Sequence, residues 1–445
     1  MKKVRMAVIV ALVALLSFAW VTRISSTISS STAIAKNTSE ADELVKKKLY
    51  QKAIFLYEST LKIKEDKTVR DKLINAYELG YKDTVVSEKD FVRALGNACE
   101  NYPKDSHYWE VLLSHYVDAG EFKKANSSYN QSLQSGASSE ELMKLGKQIV
   151  YSYKSKSKTY TEFYRSPNGY FTFFDGRNWT YADSAGNKLS DVNYLLISPI
   201  SSNDEGLFVT SEVGSRIVDS ENIVQYLLDN QDIEKSNKLL AYGERRIPVL
   251  SDNGKWKYYN CDKNTYEQNE YEAISSFQNG IAFVREDGKW ICINTANEKV
   301  SETAFEDIKL YSNGEFIYDD IFVASQNGNY GLYNDKLNNI CNFDATDADL
   351  YLKDLIAFKN KDNKWGFVNE RGDVVIEPQY VKAKSFSNGL AAVYNGKYWG
   401  FIDKSNQLVI EYQYLDADYF TEDGVCMVSC DDGQYNIIQL INGGI

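Results

Sequence analysis

The sequence has few of the residues on which most enzyme active sites are built. It contains two histidines and five prolines in 445 residues. Both histidines, His107 and His115, lie in a stretch with helical periodicity, which excludes a Ser-His-Asp or Cys-His site within the strand-rich remainder. The motifs G-x-S-x-G and H-E-x-x-H and a glycine-rich phosphate loop are also missing. We therefore expect a protein that is not an enzyme, with no catalytic, cofactor-binding or metal-binding residues.

The sequence also has few residues arranged for a metal site or a disulfide. Of the six cysteines, Cys426 and Cys430 are the nearest pair, and their C-x3-C spacing would let both face one side of a strand and its turn. Free buried thiols and one disulfide both remain open, whereas zinc is disfavoured because the histidines are distant. The run Asp344, Asp347, Asp349 lacks the glycine and closing glutamate of a calcium loop. We interpret it as a solvated loop.

Charge and composition narrow the class of protein. The formal net charge is −12, which argues against a nucleic-acid partner. Aromatic residues make up 13% of the chain, including 33 tyrosines, as a β-rich repeat body would require. The length of the chain predicts more than one domain.

The first 23 residues form a targeting or anchoring element. Residues 1–5 are basic, residues 6–21 carry no charge, and Arg23 closes the stretch. We favour an uncleaved signal-anchor, and a signal peptide cleaved near residues 33–35, giving a secreted protein, is the alternative. Because the basic residues come first, the C-terminal domains of this single-pass cell-membrane protein are expected outside the cytoplasm. The Ser/Thr-rich residues 24–36 are predicted to form a linker.

Residues 37–154 have apolar residues at helical spacing and no clear strand alternation. Their best local signature resembles the tetratricopeptide repeat, in which two antiparallel helices pack closely through small residues. Ala125 supplies the small contact, and Gly120 lies in the turn. A second copy is predicted from Tyr50, and residues 138–153 are predicted to form a closing helix. The signature consists of Trp109, Leu112, Tyr116, Gly120, Phe122, Ala125 and Tyr129.

The rest of the chain has an internal period. WGFVNERGDVVIEPQY, from Trp365 to Tyr380, returns as WGFIDKSNQLVIEYQY from Trp399 to Tyr414, with a constant offset of 34 residues. Each unit has an apolar stretch, a turn, and a second strand that opens on an aromatic, which is typical of a β-hairpin. From the first of these aromatic positions the steps are 37, 40, 34, 40, 35, 34 and 36 residues. The positions are Trp179, Arg216 (by position only), Trp256, Trp290, Tyr330, Trp365, Trp399 and Tyr435.

Two of these units resemble the WG-repeat family, whose units read roughly as KWGYID, GK, an apolar strand, P-x-Y/F and GLA. Lys364–Phe367 and Glu377–Tyr380 match that pattern residue by residue, and Gly366 and Gly400 follow their aromatics as the family has it. The match is close over residues 355–428 and weaker elsewhere. The resemblance implies a β-rich repeat domain and supplies no active site. Units without the glycine, which we expect to pack differently, are those at Trp179, Trp256, Trp290 and Tyr435.

Together these features predict an α+β multidomain protein. A membrane anchor (1–23) and a linker (24–36) precede a tetratricopeptide-like helical domain (37–154) and a β-repeat domain (159–445). No unit can cover its own apolar faces, so neighbouring units must stack. We favour a closed propeller of seven or eight blades, because the last unit breaks off after its hairpin and residues 159–164 could supply its missing strand. A linear β-solenoid is the alternative.

The function expected from these modules is binding. We predict a membrane-anchored scaffold outside the cytoplasm that offers a helical groove and a β-repeat face to a protein or cell-envelope polymer, with no nucleic-acid partner. The alternative is a carbohydrate-binding or carbohydrate-active envelope protein with a central propeller pocket. Exposed aromatics clustered with two carboxylates would favour the alternative. We interpret the recurring aromatics as the core of each unit.

Overall fold

The structure is a computed structural model that describes residues 31–203, 206–212, 214–227, 233, 236, 238–431 and 433–442. The chain divides into two compact units with the boundary between Ile149 and Val150. The anchor predicted over residues 1–23 lies outside the described residues. Within the part of the chain that the structure describes, no helix is long and apolar enough to cross a membrane.

From residue 31, where the described part of the first unit begins, the chain forms seven helices. Residues 31–46 form α1, so the helix already includes the last six positions that we assigned to the linker. The helices that follow are α2 (Tyr50–Ile63), α3 (Lys67–Lys82), α4 (Glu88–Asn101), α5 (Ser106–Asp118), α6 (Phe122–Gln134) and α7 (Glu140–Val150). Short loops join them, as in stacked helical hairpins, and this is consistent with the tetratricopeptide-like pattern.

Local chemistry sets where these helices begin and how they pack. Asp66 and Ser87 precede α3 and α4, and their side chains accept hydrogen bonds from backbone N–H groups of the first turn. Between α5 and α6 the chain turns at Gly120, whose φ of +70° is a left-handed conformation. Ala125 is fully buried, and Trp109, Leu112 and Tyr129 are nearly so, which places these four signature residues in the core of this unit. Tyr116 and Phe122 are partly buried, and Gly120 is exposed.

The second unit is an eight-bladed β-propeller. Eight antiparallel sheets follow one another along the chain, and each sheet is one blade. Blade 1 contains β2 (Glu162–Arg165), β3 (Phe171–Phe174) and β4 (Trp179–Ala182), and blade 2 contains β5 (Leu196–Ile197), β6 (Leu207–Ser211), β7 (Gly214–Val218) and β8 (Val224–Leu227). Blade 3 contains β9 (Arg246–Leu250), β10 (Trp256–Asn260) and β11 (Thr265–Tyr266). Blade 4 contains β12 (Ala273–Ile274), β13 (Ile281–Glu286), β14 (Lys289–Asn294) and β15 (Lys299–Phe305). The blade number falls within the predicted range.

Blades 5 to 7 continue this order, and blade 8 joins the two ends of the unit. Blade 5 contains β16 (Asp307–Ile308), β17 (Ile321–Gln326), β18 (Asn329–Asn334) and β19 (Asn339–Phe343), and blade 6 contains β20 (Asp347–Ala348), β21 (Ile356–Lys359), β22 (Trp365–Val368) and β23 (Val374–Tyr380). Blade 7 contains β24 (Lys382–Ala383), β25 (Leu390–Tyr394), β26 (Trp399–Asp403) and β27 (Leu408–Tyr414). Blade 8 contains β28 (Asp416–Ala417), β29 (Val425–Asp431) and β30 (Gln434–Leu440) together with β1 (Tyr153–Tyr160). The strand β1 pairs antiparallel with β30 and completes blade 8 from the opposite end of the unit. Closure of the ring by an N-terminal strand is therefore confirmed.

The closing strand differs in its bounds from the one expected. We placed it at residues 159–164, whereas β1 runs from Tyr153 to Tyr160 and β2 is already the first strand of blade 1. The predicted closing helix extended to residue 153, but α7 ends at Val150. Lys154 to Lys158 lack large apolar residues, so their pattern did not identify a strand. Pairing with β30 makes them one.

The recurring Trp-Gly pair has a structural reason in a β-bulge. Trp365 pairs with Tyr380 and Phe367 pairs with Ile376, so Gly366 alone faces three residues, including Pro378. A Cβ on Gly366 would lie 2.5 Å from the Ile376 carbonyl oxygen. The same geometry recurs at Gly400. In blade 4, which lacks the glycine, the residue after Trp290 pairs regularly with Ala304, and the register shift comes one position later, between Ile291 and Ile293.

Candidate functional site

The loops that follow the first strand of each blade, here called first loops, meet at the centre of one face of the ring. In blade 3 the isolated bridge of Leu239 with Val249 takes the place of this strand, so its first loop precedes β9. The first strands run in the same direction around a propeller, so their following loops emerge together. Direct hydrogen bonds join neighbouring first loops: the Ser387 hydroxyl donates to the Phe420 carbonyl oxygen (2.6 Å), and the Phe386 N–H donates to the Leu355 carbonyl oxygen (2.9 Å). This face is therefore a connected surface.

The first loop of blade 5, residues 309–320, crosses the middle of this face and is called the central loop. It is the longest first loop, with twelve residues between Ile308 and Ile321. The side-chain amide of Asn313 donates to the Ile200 carbonyl oxygen in blade 2 (3.1 Å). The backbone carbonyl oxygen of Asn313 accepts from the Ala241 N–H in blade 3 (2.7 Å). The Ser312 hydroxyl accepts from the Arg165 N–H in blade 1 (2.7 Å). The central loop thus crosses the ring from blade 5 to blades 1, 2 and 3.

A buried glutamate fastens the central loop. Glu315 is 1% exposed, and its carboxylate accepts hydrogen bonds from the N–H and the hydroxyl of Ser202 at 3.0 and 2.7 Å. The side-chain amide of Asn313 donates to it at 2.6 Å, and that of Gln278 donates at 3.3 Å. A buried carboxylate needs such donors, so blades 2, 4 and 5 are linked at this point.

Arg165, the last residue of β2, is a buried cation beside the central loop. It is 4% exposed, its guanidinium lies 5.3 Å from the ring centre of Tyr419, and its Nη2 donates to the Phe420 carbonyl oxygen at 3.3 Å. Its Nε and Nη1 are buried without a hydrogen-bond partner. Among the described residues, no carboxylate forms an ion pair with Arg165.

Tyr419 connects this arginine to a half-buried acid, Asp349. The Tyr419 hydroxyl lies 2.8 Å from both carboxylate oxygens of Asp349. One of these oxygens, Oδ2, also accepts from the Ser385 N–H at 2.6 Å. Burial raises the pKa of Asp349 above its usual range despite these hydrogen bonds. The pKa of Lys384 is raised overall, because attraction to Asp418 and other acids outweighs the lowering by burial. Our interpretation of the Asp344–Asp349 run as a solvated loop was therefore wrong for Asp349. It was also wrong for Asp347, which begins β20 and forms an ion pair with Lys309 (2.7 Å).

A cavity of about 180 Å³ opens beside Arg165. Its lining comes from the first loops of five blades. The lining residues are Arg165, Pro167, Asn168, Tyr318, Leu352, Lys353, Asp354, Ser387, Asn388 and Glu422. This cavity, with its lining, is called the Arg165 pocket. A second cavity of about 280 Å³ shares Lys353 and Asp354 with it and reaches Arg371.

Most charges in the wall of the pocket are already paired. Lys353 forms an ion pair with Asp319 (3.1 Å), and Asp354 forms an ion pair with Lys404 (2.9 Å). Glu422 accepts a hydrogen bond from the Tyr318 hydroxyl (3.2 Å). Burial and the nearby Glu422 raise the pKa of Tyr318 to about 12. Arg165 is therefore the lining cation that has no carboxylate partner.

The structure disperses the recurring aromatics over the blades. Trp290, Tyr330 and Trp399 are buried and pack in clusters that include residues of the next blade. Trp179, Trp256, Trp365 and Tyr435 are partly buried. None of the seven lines the Arg165 pocket. Their placement gives no ladder of exposed rings.

Sequence reasoning missed Arg165 and the central loop. One signal for the loop was present: the step from Trp290 to Tyr330 is 40 residues, against 34 or 35 for the neighbouring steps. The additional residues lie in the central loop. Arg165 had no comparable signal, because its surroundings come from residues up to 255 positions away.

The cysteines are free thiols in the structure. Cys426 is buried and Cys430 is exposed, so the two do not face one side as their spacing allowed. A register shift between Ser429 and Asp431 in β29 accounts for the difference. Among the described residues, no group of three or more His, Cys, Asp and Glu side chains is placed to hold a metal ion.

These features define the class of protein: a repeat protein with a helical unit and a closed β-propeller. Three segments match the family model described as "WG containing repeat", at residues 270–290, 365–399 and 399–433. The chain therefore carries WG repeats, and the predicted resemblance is confirmed. The matches at residues 365–399 and 399–433 begin on Trp365 and Trp399, which open β22 and β26, so each of these sequence repeats begins on the third strand of a blade. No curated protein matches this chain.

Solved structures with a similar fold are distant. The C-terminal WD40 domain of Sif2 is 8% identical, and the alignment covers 65% of this chain and 99% of that one, with a TM-score of 0.38. KlHsv2 with loop 6CD replaced by a Gly-Ser linker is 9% identical, with 62% and 89% covered and a TM-score of 0.34. The Sgt2 TPR domain from Aspergillus fumigatus is 21% identical, with 26% and 76% covered and a TM-score of 0.21. These similarities carry no information about function.

Proposed function

We propose that this protein is a non-enzymatic interaction scaffold that binds a protein partner on the first-loop face of its propeller. The main support is the Arg165 pocket, which first loops from five blades build at the centre of that face. Repeat modules commonly present such composite surfaces to partners. The recurring aromatics serve the blade cores, which leaves the loops to provide the binding surface.

The carbohydrate alternative has less support. It requires several exposed aromatic rings next to two carboxylates. The Arg165 pocket has Asp354 and Glu422, but Tyr318 is its one aromatic lining residue, and the Lys353 ammonium lies 5.4 Å from that ring. A sugar ring would have to displace this lysine in order to stack.

We also propose where in the cell this protein lies. The basic start and uncharged run of residues 1–21 support a membrane anchor with the helical unit and the propeller outside the cytoplasm. Protease treatment of intact cells, followed with an antibody to the C-terminal end, tests this part. Loss of the propeller from intact cells supports the location. Protection of the propeller until the cells are lysed would contradict it.

Site-specific photo-cross-linking in living cells tests the binding face. The exposed Ser312 and Glu422 on the first-loop face would each be replaced by a photoreactive phenylalanine, and Lys361 and Lys397, in turns after second strands, provide the controls. These turns lie at the other end of the strands. We expect discrete adducts from the first-loop positions alone. Equal adducts from both sets, or adducts from the control positions only, would refute the proposed face.

A further inference from the structure

An unsatisfied buried cation is the least explained group in the propeller. Arg165 has five N–H donors, and its Nη2 is the guanidinium nitrogen with a partner, the Phe420 carbonyl oxygen. Stacking on Tyr419 compensates part of the charge. Buried donors without acceptors cost stability, and natural proteins seldom retain them without a reason.

The cavity beside Arg165 offers room for the missing acceptor. Its volume of about 180 Å³ is several times the share of one water molecule, roughly 30 Å³. A guanidinium pairs best with a planar group that has two oxygens side by side, since two parallel hydrogen bonds then form. A carboxylate has this shape, and its charge would balance that of Arg165.

We propose that the Arg165 pocket binds a carboxylate of a peptide segment, with Arg165 as the anchoring residue. This inference rests on the proposed function, because it names the chemistry of the partner at the same face. The carboxylate is either a chain terminus or an acidic side chain. Glu422 on the pocket wall repels such a ligand and limits its affinity.

Two further features favour a peptide over a small anion or a sugar acid. The second cavity adjoins the pocket at Lys353 and Asp354, so a chain that places its carboxylate beside Arg165 can continue along the face. The amide side chains of Asn168 and Asn388 line the pocket, and amides match the donors and acceptors of a peptide backbone. An aromatic platform for a sugar ring is lacking, since Tyr318 is engaged by Lys353.

Calorimetric titration of the full chain in detergent tests the inference with four probes. They are acetyl-trialanine, its C-terminal amide, acetyl-Ala-Glu-Ala amide and glucuronate. We expect binding of the first or the third probe, which separates a chain terminus from a side chain, and at least tenfold weaker binding of the neutral amide. Binding of glucuronate alone, or equally tight binding of all four probes, would overturn the proposal.

Two substitutions with opposite expected effects connect the binding to the pocket. Arg165→Lys keeps the charge but loses the planar fork, and it should weaken the carboxylate probe at least tenfold. Glu422→Gln removes an exposed negative charge and should tighten binding about threefold or more. Lys397→Gln, in a distant turn, is the matched control and should leave affinity unchanged.

The outcomes separate this inference from the proposed function. If neither substitution changes affinity, or if Glu422→Gln weakens it, the pocket assignment is wrong. Because Glu422 is exposed, its variant remains informative even if Arg165→Lys does not fold. Adducts from position 312 that persist unchanged in Glu422→Gln, together with no probe binding, would overturn the carboxylate site and leave the scaffold proposal standing.

Discussion

The bulge opposite Gly366 makes a sharp prediction about why the glycine follows the tryptophan. In Gly366→Ala the added Cβ would meet three backbone atoms, the Ile376 oxygen at 2.5 Å and the Pro378 nitrogen and Cα at 2.7 and 2.9 Å. Backbone atoms of a strand cannot rotate away, so β22 and β23 must separate. Overpacking costs about 1–3 kcal/mol, and a lost ladder hydrogen bond adds about 1 kcal/mol. We expect a loss of about 2–4 kcal/mol of unfolding free energy.

Urea unfolding followed by tryptophan fluorescence measures this loss, because five of the seven tryptophans belong to the propeller. In a thermal scan of the same variant, the expected decrease in Tm is at least about 4 °C, at roughly 2 °C per kcal/mol for a unit of this size. Gly400→Ala should cost less, since its nearest backbone contact is 2.8 Å. Gly96→Ala in α4, where no atom lies within 4 Å of the added Cβ, should stabilise the helical unit by about 0.5–1 kcal/mol.

Two results would refute this reasoning. An unchanged urea midpoint and slope in Gly366→Ala would mean that the bulge accommodates a side chain without cost. A larger loss in Gly400→Ala than in Gly366→Ala would show that the distance of the added Cβ from the opposite backbone does not set the penalty.

Two further predictions concern closure and pH. Tyr160→Ala removes a ring stacked 4.3 Å from that of Phe173 and should lower the free energy of unfolding by about 3 kcal/mol, measured by the same unfolding assay. An equal loss in Thr159→Ala, at the exposed neighbouring residue, would contradict a role for the stacked ring. The pKa of Asp349 is raised in the folded state, so the folded protein binds that proton more tightly than the unfolded chain. Wild-type stability should therefore fall relative to Asp349→Asn as the pH rises from about 4 to about 7. A difference between the two proteins that does not change with pH would contradict the raised pKa.

The sequence predicted the repeat architecture because that information is local and periodic. Each unit repeats an aromatic, a turn and an apolar strand, and the eight positions counted from Trp179 correspond to eight blades. Incomplete pairing at the chain end predicted closure, since β30 needs a partner strand. The segment that supplies it was misplaced, because residues 154–158 lack the apolar alternation that marks a strand.

The candidate site could not be predicted in the same way. Arg165 meets Phe420 and Tyr419 across more than 250 positions of sequence, and Glu315 meets Ser202 across 113. Nothing in the residues around Arg165 indicates that its guanidinium is buried beside a cavity. Those contacts exist only because closing the ring brings first loops from opposite ends of the unit together.

The sequence by itself determined the two-unit organisation, the 34- to 40-residue period and the WG pairs, because hydrophobic periodicity and backbone crowding act over a few residues. Only the tertiary structure decided which loops share the centre of the ring, that the central loop crosses it, and that the Nε and Nη1 of Arg165 are left without an acceptor. These features depend on how eight blades close, and a ring places residues from distant parts of the chain at one point.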